Sequence, residues 1–284
     1  MQEQDQGLHI DLARLLHSTA GRRQALRWMA VASMAPLPLL GCDGGATSSG
    51  NNSGSTGSVS DGGSSGTSGS CAVIPEETAG PYPGDGSNSN GNGIANALQL
   101  SGIVRRDIRS SVGGASGVAE GVPLTITLKL RNSTNSCANL AGFAVYLWHC
   151  TREGLYSMYS SSVLNENFLR GVQESDANGE LSFDTIFPGC YDGRMPHVHF
   201  EIYPSLAQAS SAANKIKTSQ LTFPLASINE AYTASGYASS VSNLGRISFA
   251  SDNVFSDGTS LQMCSVSGNA NQGYVATLEL AIAA

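Results

Sequence analysis

Apolar and polar residues alternate with period two in six short stretches of the chain. PLTITLKL (123–130) sets Leu124, Ile126, Leu128 and Leu130 against Thr125, Thr127 and Lys129, the pattern of a strand with one buried face. FAVYLWH (143–149), ELSFDTI (180–186), HVHFEIY (197–203), SQLTF (219–223) and GYVATLELAI (273–282) read the same way. Asn178-Gly179 in DANGE supplies a turn into the 180–186 strand. No long amphipathic helix and no glycine-rich phosphate loop occurs; INEAYTASGYASSV (228–241) accommodates one short helix. Short strands separated by Gly, Asn, Ser and Pro predict an all-β fold, an antiparallel sandwich with long loops and little helix.

The N-terminal quarter has no such pattern. Residues 1–41 read as an export signal: Arg22-Arg23 precede a short, weakly apolar run from Trp28 to Leu40, interrupted by Pro36 and Pro38. The paired arginines are similar to a twin-arginine signal, and Leu39-Leu40-Gly41-Cys42 resembles a lipobox that would place a lipid on Cys42. An ordinary cleaved signal is the alternative. Residues 42–70 are Gly/Ser-rich and read as a flexible tether with a reach of about 30 Å. The predicted layout is therefore a signal (1–41), a tether (42–70) and one domain (71–284) in the cell envelope, touching the membrane only through a lipidated Cys42. The formal charge of −7 and the scarcity of Lys and Arg argue against nucleic acid as a partner.

Candidate chemistry concentrates at few residues. Five cysteines lie beyond the tether: Cys71, Cys137, Cys150, Cys190 and Cys264. None forms a CxxC pair, so disulfides are expected rather than metal ligation, with at least one thiol left over. Beyond residue 41 the only histidines are His149, His197 and His199. His197 and His199 leave the same face of a strand, so both can reach one ion, or they form a hydrogen-bonded structural pair. Tyr156 and Tyr191 sit in Gly-containing turns nearby in sequence. Alone, each tyrosine reads as packing or a surface hydroxyl. Two phenols beside two imidazoles form a donor set suited to a trivalent iron ion.

The ordered motifs G-x-Y (154–156), P-G-x-Y (188–191), R-x-x-H-x-H (194–199) and T-x-Q-L (218–221) resemble those of the intradiol ring-cleavage dioxygenases, the catechol and protocatechuate type. PEETAGPYPGDG (75–86), VRRDIR (104–109) and SDNVFSDG (251–258) are similar to segments of that family and its exported bacterial branch. The resemblance covers most of residues 71–284. It implies a prealbumin-like β-sandwich holding one Fe(III), with Tyr156, Tyr191, His197 and His199 as ligands. It further implies that Arg194 lies over the substrate ring, that Gln220 lines the same pocket, and that Tyr191 gives way when substrate arrives.

Under that resemblance the substrates are a small aromatic diol and O2, and the product is of the cis,cis-muconate type. Cys150 and Cys190 depart from well-studied soluble members and flank the implied ligands, so a bridge between them is one expectation. His149 is assigned to packing or a supporting hydrogen bond. Tyr159 is placed either in the pocket or at the surface, and Glu201 either behind His199 or in solvent. Two other readings compete: a non-catalytic prealbumin-like binding module on a lipoprotein stalk, and a two-histidine ferrous enzyme using Glu201 as its carboxylate ligand. Oligomeric state and the ring substituent are not encoded in any motif.

Overall fold

The alternating residues of β3 (Pro123–Asn132) sort as their pattern requires: Leu124, Ile126, Leu128 and Leu130 are buried while the intervening residues keep partial exposure. A computed structural model describes residues 71–284; the expected export signal (1–41) and tether (42–70) lie outside the described residues. Two larger sheets and one small ribbon organise the described chain.

In the first large sheet, β3 is central. It pairs antiparallel with β7 (Glu180–Ile186) and, at its end, with the short β4 (Ala138–Asn139). On its other side it pairs with β11 (Gly273–Ile282), which in turn pairs with β10 (Ser265–Asn269). The β3–β11 pair is parallel, from Tyr274 opposite Leu124 to Ile282 opposite Asn132. This differs from the purely antiparallel expectation. A period-two pattern reports which face is buried but is the same for either strand direction.

The second sheet has the order β6 (Arg170–Glu174), β5 (Ala144–Trp148), β8 (His197–Tyr203), β9 (Lys217–Thr222), with antiparallel neighbours throughout. Val145 and Leu147 of β5 and Val198, Phe200 and Ile202 of β8 join the β3, β7 and β11 side chains in one core between the sheets. The opposite face is also covered. Ala144, Tyr146 and Trp148 lie in a second apolar cluster with Ala97, Leu98, Ile103 and Tyr156. That outer layer includes the ribbon of β1 (Asp85–Ser89) and β2 (Ile94–Asn96) and the leading segment before it. Every residue of β8 is consequently buried, the polar ones included.

Where one helix was expected, two occur: α1 (Leu225–Ala231) and α2 (Ala238–Leu244), separated by a turn in which Gly236 has φ +92°. Among the described residues no helix is long and apolar enough to cross a membrane.

One disulfide joins Cys71 to Cys137, with Cα atoms 5.8 Å apart. Cys150, Cys190 and Cys264 are free and buried. The expected Cys150–Cys190 bridge is therefore corrected. The two thiols face separate acceptors, Cys150 Sγ the Gly189 carbonyl at 3.5 Å and Cys190 Sγ the Arg194 carbonyl at 3.2 Å. The Cys71–Cys137 bridge spans 66 residues and fastens the start of the domain to the β3–β4 turn. Chain entropy alone assigns a loop of that length about 4 kcal/mol. Replacing both cysteines by serine is expected to lower the urea-unfolding free energy by about 2–4 kcal/mol, with the same loss on adding reductant to the unaltered chain.

Candidate metal centre and active site

The polar face of β8 explains why the site forms where it does. His199 stands in register with Trp148 of β5 on one side and Gln220 of β9 on the other, and His197 pairs with Thr222. Residues directly opposite share a sheet face, so strand pairing alone gathers Trp148, His199 and Gln220 into one row. Trp148 stacks on the His199 ring, centroids 5.0 Å apart and planes within 3°. This holds the imidazole flat against the indole.

The two tyrosines come from loops that glycines allow to meet. Gly154 has φ +90°, and a Cβ there would lie 3.1 Å from Tyr191 Cβ. A Cβ on Gly189 would fall 2.5 Å from the Thr151 carbonyl oxygen. Those glycines are the first residue of G-x-Y and the second of P-G-x-Y, so both motifs are the steric condition for bringing the loops together. From the other side α2 braces the second loop. Ser240 Oγ accepts from the Cys190 N–H at 2.9 Å, and Asn243 Nδ2 donates to the Cys190 carbonyl at 2.7 Å.

The four expected ligands converge. His197 Nε2 lies 3.0 Å from His199 Nε2 and 3.3 Å from the Tyr191 hydroxyl. The Tyr156 ring is 5.8 Å from that of Tyr191 and 6.4 Å from that of His199. Tyr156 is buried and its hydroxyl has no hydrogen-bond partner. His197 Nδ1 is 2.6 Å from the Met195 carbonyl, which can only accept, so the proton sits on Nδ1 and Nε2 presents a lone pair. Burial, then the Arg194 charge, drives the His197 and His199 pKa values well below the ordinary imidazole range, so both rings are neutral. Burial, then Tyr191, holds the Tyr156 phenol well above its usual value.

Beside this cluster lies Arg194, one-tenth exposed. Its Nε donates to Asp252 Oδ1 and Oδ2 at 3.1 and 3.0 Å, and its Nη2 donates to Gln220 Oε1 at 2.7 Å. Gln220 Nε2 donates to the Thr78 carbonyl of the leading segment at 2.9 Å. All six residues expected from the sequence thus occupy one region. Among the described residues no group of three His, Cys, Asp or Glu side chains gathers as a metal cluster, and the convergent set here is completed by phenols instead.

Solved structures with this architecture carry a common description. An intradiol ring-cleavage dioxygenase from Tetranychus urticae superposes with TM-score 0.57 at 25% identity, over 75% of this chain and 95% of that one. The chain shares its fold with that intradiol ring-cleavage dioxygenase. A second solved dioxygenase gives TM-score 0.57 at 24% identity over 75% of this chain and 94% of its own. The dioxygenase domain of a carbohydrate-binding fusion protein from Streptomyces sp. SirexAA-E aligns more loosely, TM-score 0.46 at 21% identity over 74% of this chain and 98% of that one. No family model and no curated protein matches the sequence.

The remaining expectations sort by burial. His149 is a supporting residue: its Nδ1–H donates to the Cys150 carbonyl at 2.8 Å, and its Nε2 lies 2.7 Å from Thr185 Oγ1. The Tyr159 hydroxyl accepts from the Gly84 N–H at 2.8 Å and donates to Asn88 Oδ1 at 2.6 Å, tying the leading segment to the Tyr156 loop. Glu201 takes neither expected place. It is fully buried, accepting from Tyr203 OH at 2.6 Å and from Lys215 Nζ at 2.7 Å, so it is not a third ligand for a ferrous site. The reason is spacing: two residues further along β8 brings it under β1, where Lys215 also reaches Asp85.

Two buried charges escaped the reading of the sequence. Arg170, wholly buried, donates to the carbonyls of Tyr82, Pro83 and Ser157 and to the Ser157 and Tyr146 hydroxyls. It clamps the leading segment onto the turn that carries Tyr156. An arginine opening the strand after Phe168-Leu169 is the only signal the sequence offers. Asp252 is the other; it lies in SDNVFSDG (251–258), a segment that the resemblance marked without giving any residue in it a role.

Burial carries the His149 pKa down to about 4, against about 6.5 when unfolded. The unfolded chain then binds the extra proton first, so stability is full above pH 6.5 and falls as pH drops toward 4. The contribution at stake is about 3 kcal/mol. Glu201, raised to about 7 by burial and the Asp85 charge, acts with the opposite sign in the same window. The comparison is therefore made by difference. In metal-free protein, His149→Gln is expected to flatten the fall in urea-unfolding free energy between pH 6.5 and 4 by about 3 kcal/mol; equal slopes would remove the assignment.

Proposed function

We propose that the chain is a non-haem Fe(III) dioxygenase that cleaves a catechol-type ring between its two hydroxyl-bearing carbons. The diol and O2 combine to a cis,cis-muconate-type dicarboxylic acid that keeps both oxygen atoms. The observation that carries this reading is the convergence of the Nε2 atoms of His197 and His199 with two phenols, one of which is buried and has no hydrogen-bond partner. A buried hydroxyl without a partner costs about 1–3 kcal/mol, and a Lewis-acidic ion removes that cost by taking the oxygen lone pair.

The donor set fits the ion. Neutral imidazoles and hard phenolic oxygens match a ferric centre better than zinc, which favours sulfur and nitrogen, or calcium, which favours carboxylates and carbonyls. Tyr156, Tyr191, His197 and His199 would hold it. When bound, the ferric ion supplies Lewis acidity and an electron-accepting centre that lets a singlet diol react with triplet oxygen.

The chain's own groups do the rest. Tyr191, partly exposed where the other three expected ligands are buried, would be the group within reach of a diol and able to take up its proton on the phenolic oxygen. Trp148 and the Met195 carbonyl fix the two imidazoles in plane and tautomer. Arg194 brings a fixed positive charge beside the site, where negative charge on the ring is stabilised without reorganisation. Gln220 joins that arginine to the leading segment, which covers the site and excludes water. Export and a lipid on Cys42 complete the proposal, placing the enzyme in the cell envelope.

Iron-loaded protein is expected to carry one iron per chain and a visible tyrosinate-to-iron absorption band that shifts on adding catechol. Oxygen uptake should accompany the shift. His199→Ala should abolish iron retention, and Tyr156→Phe should weaken both retention and the band. Stoichiometric iron with no band, or a band unmoved by every substituted catechol tried, would leave a binding module instead of an enzyme.

A further inference from the structure

Arg194 is held from two sides, and the stronger hold comes from a residue outside the four ordered motifs, in the SDNVFSDG segment (251–258). Asp252 is completely buried. Its Oδ2 accepts from Arg194 Nε at 3.0 Å and from the Met195 N–H at 2.6 Å. Its Oδ1 accepts from Arg194 Nε at 3.1 Å and from the N–H groups of Val254 and Phe255 at 2.8 and 3.1 Å. These backbone bonds fix the carboxylate before the arginine is considered.

A guanidinium is planar and rigid, so fixing two of its nitrogens fixes the direction of the third. Asp252 and Gln220 between them occupy Nε and Nη2, and Nη1 takes none of these bonds. The Phe255 ring lies 5.8 Å from the guanidinium carbon, so the loop that anchors the carboxylate also supports the face of the arginine. Met195, whose N–H is bound to Asp252, offers its carbonyl to His197 Nδ1. One carboxylate thus controls the orientation of the arginine and, through a single residue, that of a histidine.

We infer that Asp252 is a positioning residue of the active site, which aims the Nη1 edge of Arg194 at the bound ring. The inference rests on the proposed role of Arg194 for its catalytic consequence. A buried ion pair is by itself weak ground for claiming stability. The five bonds converging on this carboxylate instead specify a direction, and electrostatic stabilisation of a reacting group depends on direction. Gln220 alone would leave the guanidinium free to swing about the Cδ–Nε bond.

The test uses the full chain and its Asp252→Asn, Arg194→Lys and doubly substituted variants. Asn keeps the shape and one acceptor oxygen, able to serve the Val254 and Phe255 N–H groups, but loses the charge and the second acceptor that Met195 N–H uses. Asp252→Asn is expected to keep iron and the resting absorption band while kcat falls about 10- to 100-fold and KM changes by less than about threefold. In the Arg194→Lys background the same substitution should cost less than about twofold, because the group it positions is already gone. Equal losses in both backgrounds, or an Asn variant with wild-type kcat, would overturn the inference. A readout without iron separates this from the enzymatic reading. In metal-free, arginine-labelled protein the Arg194 Nε–H resonance, assigned by its absence in Arg194→Lys, should be protected from solvent exchange. That protection should drop at least about tenfold in Asp252→Asn. Unprotected Nε–H in the unaltered chain refutes the positioning role whatever the iron chemistry shows.

Discussion

The structure depends on the burial of the polar face of β8. In a two-sheet sandwich one face of each sheet is dry and the other ordinarily meets water. Here the leading segment and the Tyr156 loop close over the outer face, so His197, His199 and Glu201 are as buried as Val198 and Phe200 on the other side. Polar groups in such a layer must be bonded to something. The partners divide along the strand: Glu201 takes Tyr203 and Lys215, while the histidines face each other and two phenols. The difference between an internal salt bridge and a candidate metal centre is about two residues of strand.

That cover is itself held by charge. Arg170 has five hydrogen bonds and every one goes to a neutral oxygen, from the leading segment, the Tyr156 turn and β5. Arg194 and Gln220 reach Thr78 from the other end of the same segment. Two arginines therefore fasten one strip of chain across the site, the first well away from the proposed reaction and the second next to it. The strip is thus tied at the Tyr82 and Pro83 carbonyls by Arg170 and at the Thr78 carbonyl by Gln220.

The thiols show a similar economy of placement. Cys150 and Cys190 lie next to the strand and loop that bring His149 and Tyr191 into place, and each thiol faces a backbone carbonyl. Burial raises both of their pKa values to about 12, so they behave as small apolar fillers with a weak donor, not as nucleophiles or a redox pair. The single disulfide among the described residues instead joins Cys71 to the β3–β4 turn of the first sheet.

The sequence alone determined the strands, because period-two alternation is a local consequence of backbone pleating. It placed His197 and His199 on one strand face by parity, whereas Tyr156 and Tyr191 entered only through the motif resemblance. It could not determine the direction of β11 relative to β3, the break between α1 and α2, the unbridged state of Cys150 and Cys190, or the burial of Glu201. Nor could it single out Arg170 and Asp252. Each of these is settled by contacts between residues tens to more than a hundred positions apart. Alternation and turn chemistry act over a few residues, whereas a buried charge is chosen by whatever carbonyls or carboxylates the closed fold happens to bring within 3 Å.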